Sequence, residues 1–119
     1  QRINEIDSFE KLQKVKTEIE DRFGKIDFDL EIYMYQEWLE KLLTERGISI
    51  LSQTNDYLKL EFNKESSKKV SGDKLFLVAY NINPKIKIIY YHEKIKLTIP
   101  IKSVNKHYVL DLIELLTKI

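Results

Sequence analysis

His107 and Asp111 stand four residues apart, a spacing that sets two side chains on one face of a helix and could begin a metal site. Two helical ligands without a third make a poor metal site, and an exposed pair accounts for them better. The other histidine, His92, falls in a hairpin turn. Asp27, Asp29 and Glu31 alternate as magnesium ligands can, but they open a helix, where capping and the helix dipole explain them. Gly72-Asp73-Lys74 resembles the end of a phosphate loop only superficially: no second glycine precedes it at the required spacing, and no Ser or Thr follows. The three glycines, 24, 47 and 72, are isolated, so no dinucleotide fingerprint can be built either. No serine occupies a nucleophile elbow. The chain has no cysteine, which excludes disulfides, zinc–thiolate sites and thiol catalysis. The reading is that the chain holds no catalytic, cofactor-binding or metal-binding residues.

Basic residues are the remaining chemistry. Lys64, Lys68, Lys69 and Lys74 surround a polar connector, and Lys85, Lys87, Lys94 and Lys96 line one hairpin near Tyr91. Lysines beside an aromatic ring can hold phosphate and stack a base. Glu65, Asp73 and Glu93 interleave with them, however, and the net charge is only +1. A solvated lysine face that discourages edge-to-edge strand pairing accounts for them better. Charge is nonetheless uneven. Residues 1–47 carry 8 basic and 12 acidic side chains, whereas residues 85–119 carry 7 basic and 3 acidic ones.

The elements that must position these groups follow from periodicity. At 119 residues and 43% hydrophobic content, the chain is one domain's worth and can bury a core without staples. No apolar run approaches a membrane span. The first helix is expected to start at Asp7, with Glu10 completing a capping box, and to bury Phe9, Leu12, Val15, Ile19 and Phe23. Gly24 stops it, in the left-handed conformation that costs other residues roughly 1–2 kcal/mol. Asp27 caps a second helix over about 28–45, and Gly47 ends it. That helix carries two apolar rows, Leu30–Met34–Trp38–Leu42 and Ile32–Tyr35–Leu39–Leu43, so it is the central one.

The period then changes to two. Ile48, Ile50 and Leu51 begin a strand, a turn follows at 53–56, and Leu58, Leu60 and Phe62 alternate with polar residues. Asn63 to Gly72 reads as a mobile polar connector. A short helix then runs from Ser71 to Ile82 and stops at Asn83-Pro84. A second hairpin alternates Ile86, Ile88 and Tyr90, then Ile95, Leu97, Ile99 and Ile101; Pro100 places its last strand at an edge or ends it. A final helix spans about Ser103 to Lys118. The fold class is therefore α+β with antiparallel strands: a helical hairpin followed by two β-hairpin-plus-helix units, ααββαββα. Whether the hairpins join in one sheet is left open by the pattern.

The stretch Asp21-Arg22-Phe23-Gly24, closing one amphipathic helix before a long helix that ends at Gly47-Ile48, resembles the C-terminal domain of bacterial transcription-repair coupling factors. The Arg2-Ile3 start fits the same register, and Lys25 and Asp27 stand where the family's connector usually has prolines. The resemblance is specific over residues 2–48 and beyond that is one of element order. It implies that residues 1–119 are a single domain, a regulatory piece excised from a larger translocase, with Asp21, Arg22, Phe23, Gly24 and Gly47 as its structural motif. The parent would be a cytoplasmic bacterial protein using ATP and magnesium, binding RNA polymerase, double-stranded DNA and the excision-repair A subunit. This piece would be non-catalytic, need no cofactor, and make an intramolecular contact that masks the N-terminal repair-recruiting module. Its partner-binding residues are not identified by the resemblance; the acidic helical hairpin and the basic last hairpin both remain available. The alternatives are a self-standing protein-binding adaptor or a small nucleic-acid-binding module.

Overall fold

A computed structural model describes residues 2–102 and 106–119. Its elements are a 3-10 turn at Ile3–Glu5, helices α1 (Phe9–Phe23) and α2 (Phe28–Arg46), strands β1 (Ile48–Gln53) and β2 (Tyr57–Phe62), helices α3 (Lys64–Lys69) and α4 (Gly72–Ile82), strands β3 (Lys87–Tyr91) and β4 (Lys94–Pro100), and helix α5 (Tyr108–Lys118). The fold is α+β with an antiparallel sheet, in the expected order of helical hairpin, strand hairpin, helix, strand hairpin and helix. The residues group into two compact units, 1–42 and 43–119.

In the first unit, α1 starts one residue later than expected: Ser8, not Asp7, is the cap, its Oγ accepting the Lys11 N–H at 3.1 Å. Leu12 and Val15 are buried as their spacing requires. The ends of the expected stripe are not, with Phe9 52% and Phe23 79% exposed. Asp27 caps α2 as expected, Oδ1 accepting the Leu30 N–H at 2.8 Å. Lys16 reaches from α1 to Glu31 at 3.0 Å. Lys41 donates to the carbonyls of Asn4 and Ile6, fastening the 3-10 turn to α2. Ile32, Met34, Trp38, Leu39 and Leu42 are buried, drawn from both expected rows of α2.

Gly24 ends α1 at φ 86°, ψ −174°, with its N–H on the Glu20 carbonyl at 2.9 Å. This lies beyond the left-handed helical well, in a region that only glycine occupies readily. Gly24→Val is therefore expected to destabilise the protein by about 1–3 kcal/mol, against within about 0.5 kcal/mol for a change at an exposed position of α1, Lys14→Ala. Thermal melts of the two variants check it; equal midpoints would show that Gly24 is not needed as a stop.

In the second unit the hairpins form one four-stranded sheet, ordered β1-β2-β4-β3. The seam is the β2–β4 pairing, which sets Leu58 opposite Ile99 and Leu60 opposite Leu97. Leu58, Leu60, Phe62, Ile95, Leu97 and Ile99 are buried, together with Leu75, Ala79, Val109, Leu112, Leu115 and Leu116 of the helices. β4 is an interior strand, so Pro100 marks its end and not an edge. The expected polar connector at 63–72 contains α3 instead. Asn63 Oδ1 caps it through the Ser66 N–H at 2.7 Å, and its Ser67 hydroxyl, 3% exposed, accepts the Ile95 N–H at 3.0 Å. One buried serine thus binds a β4 amide that no strand reaches, which makes helix formation favourable in a segment that lacks apolar periodicity. α5 begins at Tyr108; the expected start at Ser103 lies outside the described residues.

Candidate functional site

The five motif residues divide between the two units. Asp21, Arg22, Phe23 and Gly24 form the corner between α1 and α2, and all four are exposed. The helix ends there because the Glu20 carboxylate turns back to accept the Ile26 N–H at 3.3 Å while Asp27 opens the next helix. Phe23 is left projecting at 79% exposure. A cleft of about 400 Å³ lies beside it, with Val15, Ile19 and Phe23 between the charged groups Arg2, Glu18, Asp21 and Arg22. A second, of about 390 Å³, shares Ile19 and Phe23 and adds Ile3, Lys25, Ile26 and Leu30. Arg2 Nη1 holds Glu18 Oε2 at 2.8 Å, and Arg2 Nε lies 3.8 Å from Glu5. The corner thus sets an exposed aromatic side chain beside charged groups of both signs. It offers no nucleophile beside a base.

Gly47 works differently. It has φ 68°, and its carbonyl accepts the Asn63 N–H at 2.9 Å. A Cβ there would fall 2.3 Å from Asn63 Nδ2 and 2.6 Å from Ser66 Oγ. The Ser66 hydroxyl in turn donates to the Arg46 carbonyl. The glycine lets the end of α2 close onto the start of α3, so its role is structural.

The remaining candidates disperse. His107 caps α5, its Nδ1 accepting the Val109 N–H at 3.2 Å. Asp111 is not the exposed partner expected: it is 2% exposed, and Lys106 Nζ lies 3.6 Å from its Oδ1. Lys106 also holds Glu114 at 2.6 Å, as does Lys118 from the other side. Burial pushes the Asp111 carboxyl up against the pull of Lys106, while hydrogen bonds from Lys106 and Lys118 hold Glu114 below the usual carboxylate range. The same bond to Glu114 raises Lys106. All four groups lie between residues 106 and 118, so the array ties the lead-in of α5 to its later turns. Glu31 likewise serves Lys16, whose pKa it raises. Among the described residues no group of three or more His, Asp or Glu could hold a metal ion.

Gly72, Asp73 and Lys74 are the first turn of α4, capped by Ser71. Lys94 and Lys96 both face Glu61, at 3.5 and 3.8 Å, and Lys96 lies 5.4 Å over the Tyr91 ring. Sequence reasoning missed the apolar face of α4, where Phe76, Leu77 and Tyr80 are 58%, 60% and 56% exposed. It also missed β3, which was expected to bury alternate residues and leaves Ile89, Tyr90 and Tyr91 more than half exposed.

The family model described as the TRCF domain matches residues 1–72, which include all five motif residues. A crystal structure of the C-terminal domain of transcription-repair coupling factor superposes with a TM-score of 0.73 at 18% identity, covering 98% of this chain and 72% of that one. At that identity the likeness is one of fold. No curated protein matches the chain. No helix among the described residues is long and apolar enough to cross a membrane.

Proposed function

This chain belongs to the TRCF domain family, and on that premise we propose that it is the non-catalytic C-terminal regulatory domain of a transcription-repair coupling factor. The parent uses ATP and magnesium in an upstream motor to translocate on double-stranded DNA, displaces stalled RNA polymerase, and recruits excision repair in the bacterial cytoplasm. This domain restrains it by covering the N-terminal module that recruits the excision-repair A subunit. The observation that carries the reading is the exposed corner Asp21-Arg22-Phe23 within the family-matched stretch. Of the two surfaces open from sequence, the acidic helical hairpin is favoured, because it alone pairs family motif residues with an unburied aromatic and an adjoining cleft.

Such a contact need not be strong. A tether raises the effective concentration of the two surfaces, so modest intrinsic affinity closes them and engagement of a partner can open them. The test compares binding of the excision-repair A subunit to full-length parent and to parent carrying Arg22→Glu with Phe23→Ala. Unmasking is expected to tighten binding by about tenfold, a typical allosteric coupling, and to raise basal ATPase, with deletion of residues 1–119 giving a change at least as large. Equal affinity and equal ATPase in all three proteins would overturn the masking role.

A further inference from the structure

The sheet has two edges, β1 and β3, and they are built differently. β1 carries a register shift between Ile50 and Ser52, a bulge of the kind that spoils an edge as a template. β3 pairs regularly along its whole length, from Lys87 opposite Thr98 to Tyr91 opposite Lys94. It carries no proline, no bulge and, after Lys87, no charge: Ile88-Ile89-Tyr90-Tyr91. Ile89 is 55%, Tyr90 64% and Tyr91 55% exposed. Regularly paired, apolar and exposed, it is the kind of edge that natural sheets otherwise blunt.

Its hydrogen-bonding groups can be placed. His92 and Glu93 form a two-residue turn with φ of 52° and 63°, the type in which the flanking residues exchange both backbone bonds. Tyr91 and Lys94 are that pair, and the antiparallel alternation turns Ile89 toward β4 as well. The N–H and C=O groups of Ile88 and Tyr90 therefore face away from the sheet.

We infer that β3 is a self-pairing edge whose partner is a second copy of this chain, antiparallel and centred on Ile89. About that two-fold, Ile88 of one copy meets Tyr90 of the other, so the four outward groups of each strand find their complements. On one face Ile89 meets Ile89, flanked on both sides by Lys87 opposite Tyr91, a cation over an aromatic ring. On the other face Ile88 meets Tyr90, a β-branched residue against an aromatic. Every position from 87 to 91 has a favourable partner in the second copy, which is the requirement of an isologous interface. The product is a dimer with a continuous eight-stranded sheet. It is a small interface, so the dimer forms with rising concentration and is not obligate.

Sedimentation velocity of the 119-residue chain from micromolar to millimolar concentration tests this. The chain should shift from monomer to dimer and stop there. Ile89→Lys and Ile89→Glu each set like charges opposite one another and should weaken self-association by about tenfold or more, while an equal mixture of the two should restore a dimer. Within its own sheet position 89 faces Lys96, so Ile89→Lys should melt slightly lower and Ile89→Glu slightly higher than the unaltered chain, with the circular dichroism of both unchanged. A chain that stays monomeric at every concentration, variants that dimerise as well as the unaltered chain, or a mixture that does not recover would overturn the proposal.

Discussion

Gly47→Val is expected to lower the melting temperature by about 10 °C, which for a domain of this size corresponds to about 2–4 kcal/mol. Two costs act together. The positive φ of 68° penalises any residue with a Cβ by about 1–2 kcal/mol. The new side chain must also displace Asn63 and Ser66, whose atoms lie within 2.6 Å of the Cβ position. Asn63 caps α3 through the Ser66 amide, and losing a cap of that kind costs about 1 kcal/mol more. Gly47→Ala made in the unaltered chain and in one carrying Asn63→Gly with Ser66→Gly separates the two costs in a thermal melt, because the second background removes the crowding side chains and keeps the positive φ. If Gly47→Ala loses equal stability in both, the crowding is without effect.

Trp38→Ala is expected to lose about 3–5 kcal/mol in chemical denaturation, the range for truncating a buried aromatic. Trp38 is 8% exposed and stacks on Tyr35 with ring centroids 6.4 Å apart. Its Nε1 has no hydrogen-bond partner among the described residues, so what it contributes is volume and contact area. Trp38→Phe keeps most of that volume and should therefore lose well under half as much. Equal losses for the two variants would mean that some feature of the indole other than its bulk matters.

Where residues repeat at a regular period, the fold was legible. Six of the eight residues in the apolar rows of α2 (all but the half-buried Leu30 and Tyr35), the alternation of Leu58, Leu60 and Phe62, and that of Ile95, Leu97 and Ile99 meet the core as their spacing demands. Phe9 and Phe23 have the right period but sit at the first and last positions of α1, where the neighbouring turn that would cover them is missing. α3 was illegible for a different reason. It rests on an Asn63 cap and one serine–amide bond to β4, and neither leaves a periodic trace in the sequence. The same holds for the joining of the two hairpins, since pairing between distant strands is decided by the sheet as a whole. As for the site, the motif gave the position of the corner and Gly24 as its stop. That Phe23 projects and that Asp111 is buried could be learned only from the packing around them.

The order β1-β2-β4-β3 also shapes how the chain reaches this state. Each hairpin closes over a short turn, an event of about 1–10 μs. The β2–β4 seam instead joins Leu58 to Ile99 and Leu60 to Leu97, with α3 and α4 lying between them in sequence. Closing that distance costs loop entropy before any seam contact repays it. Assembly of the seam is therefore expected to be the slow step. Truncations at Leu60 and Leu97 should retard refolding in stopped-flow measurements, with φ-values in the upper half of the scale, whereas truncation at Ile89 on the far edge should leave the refolding rate nearly unchanged.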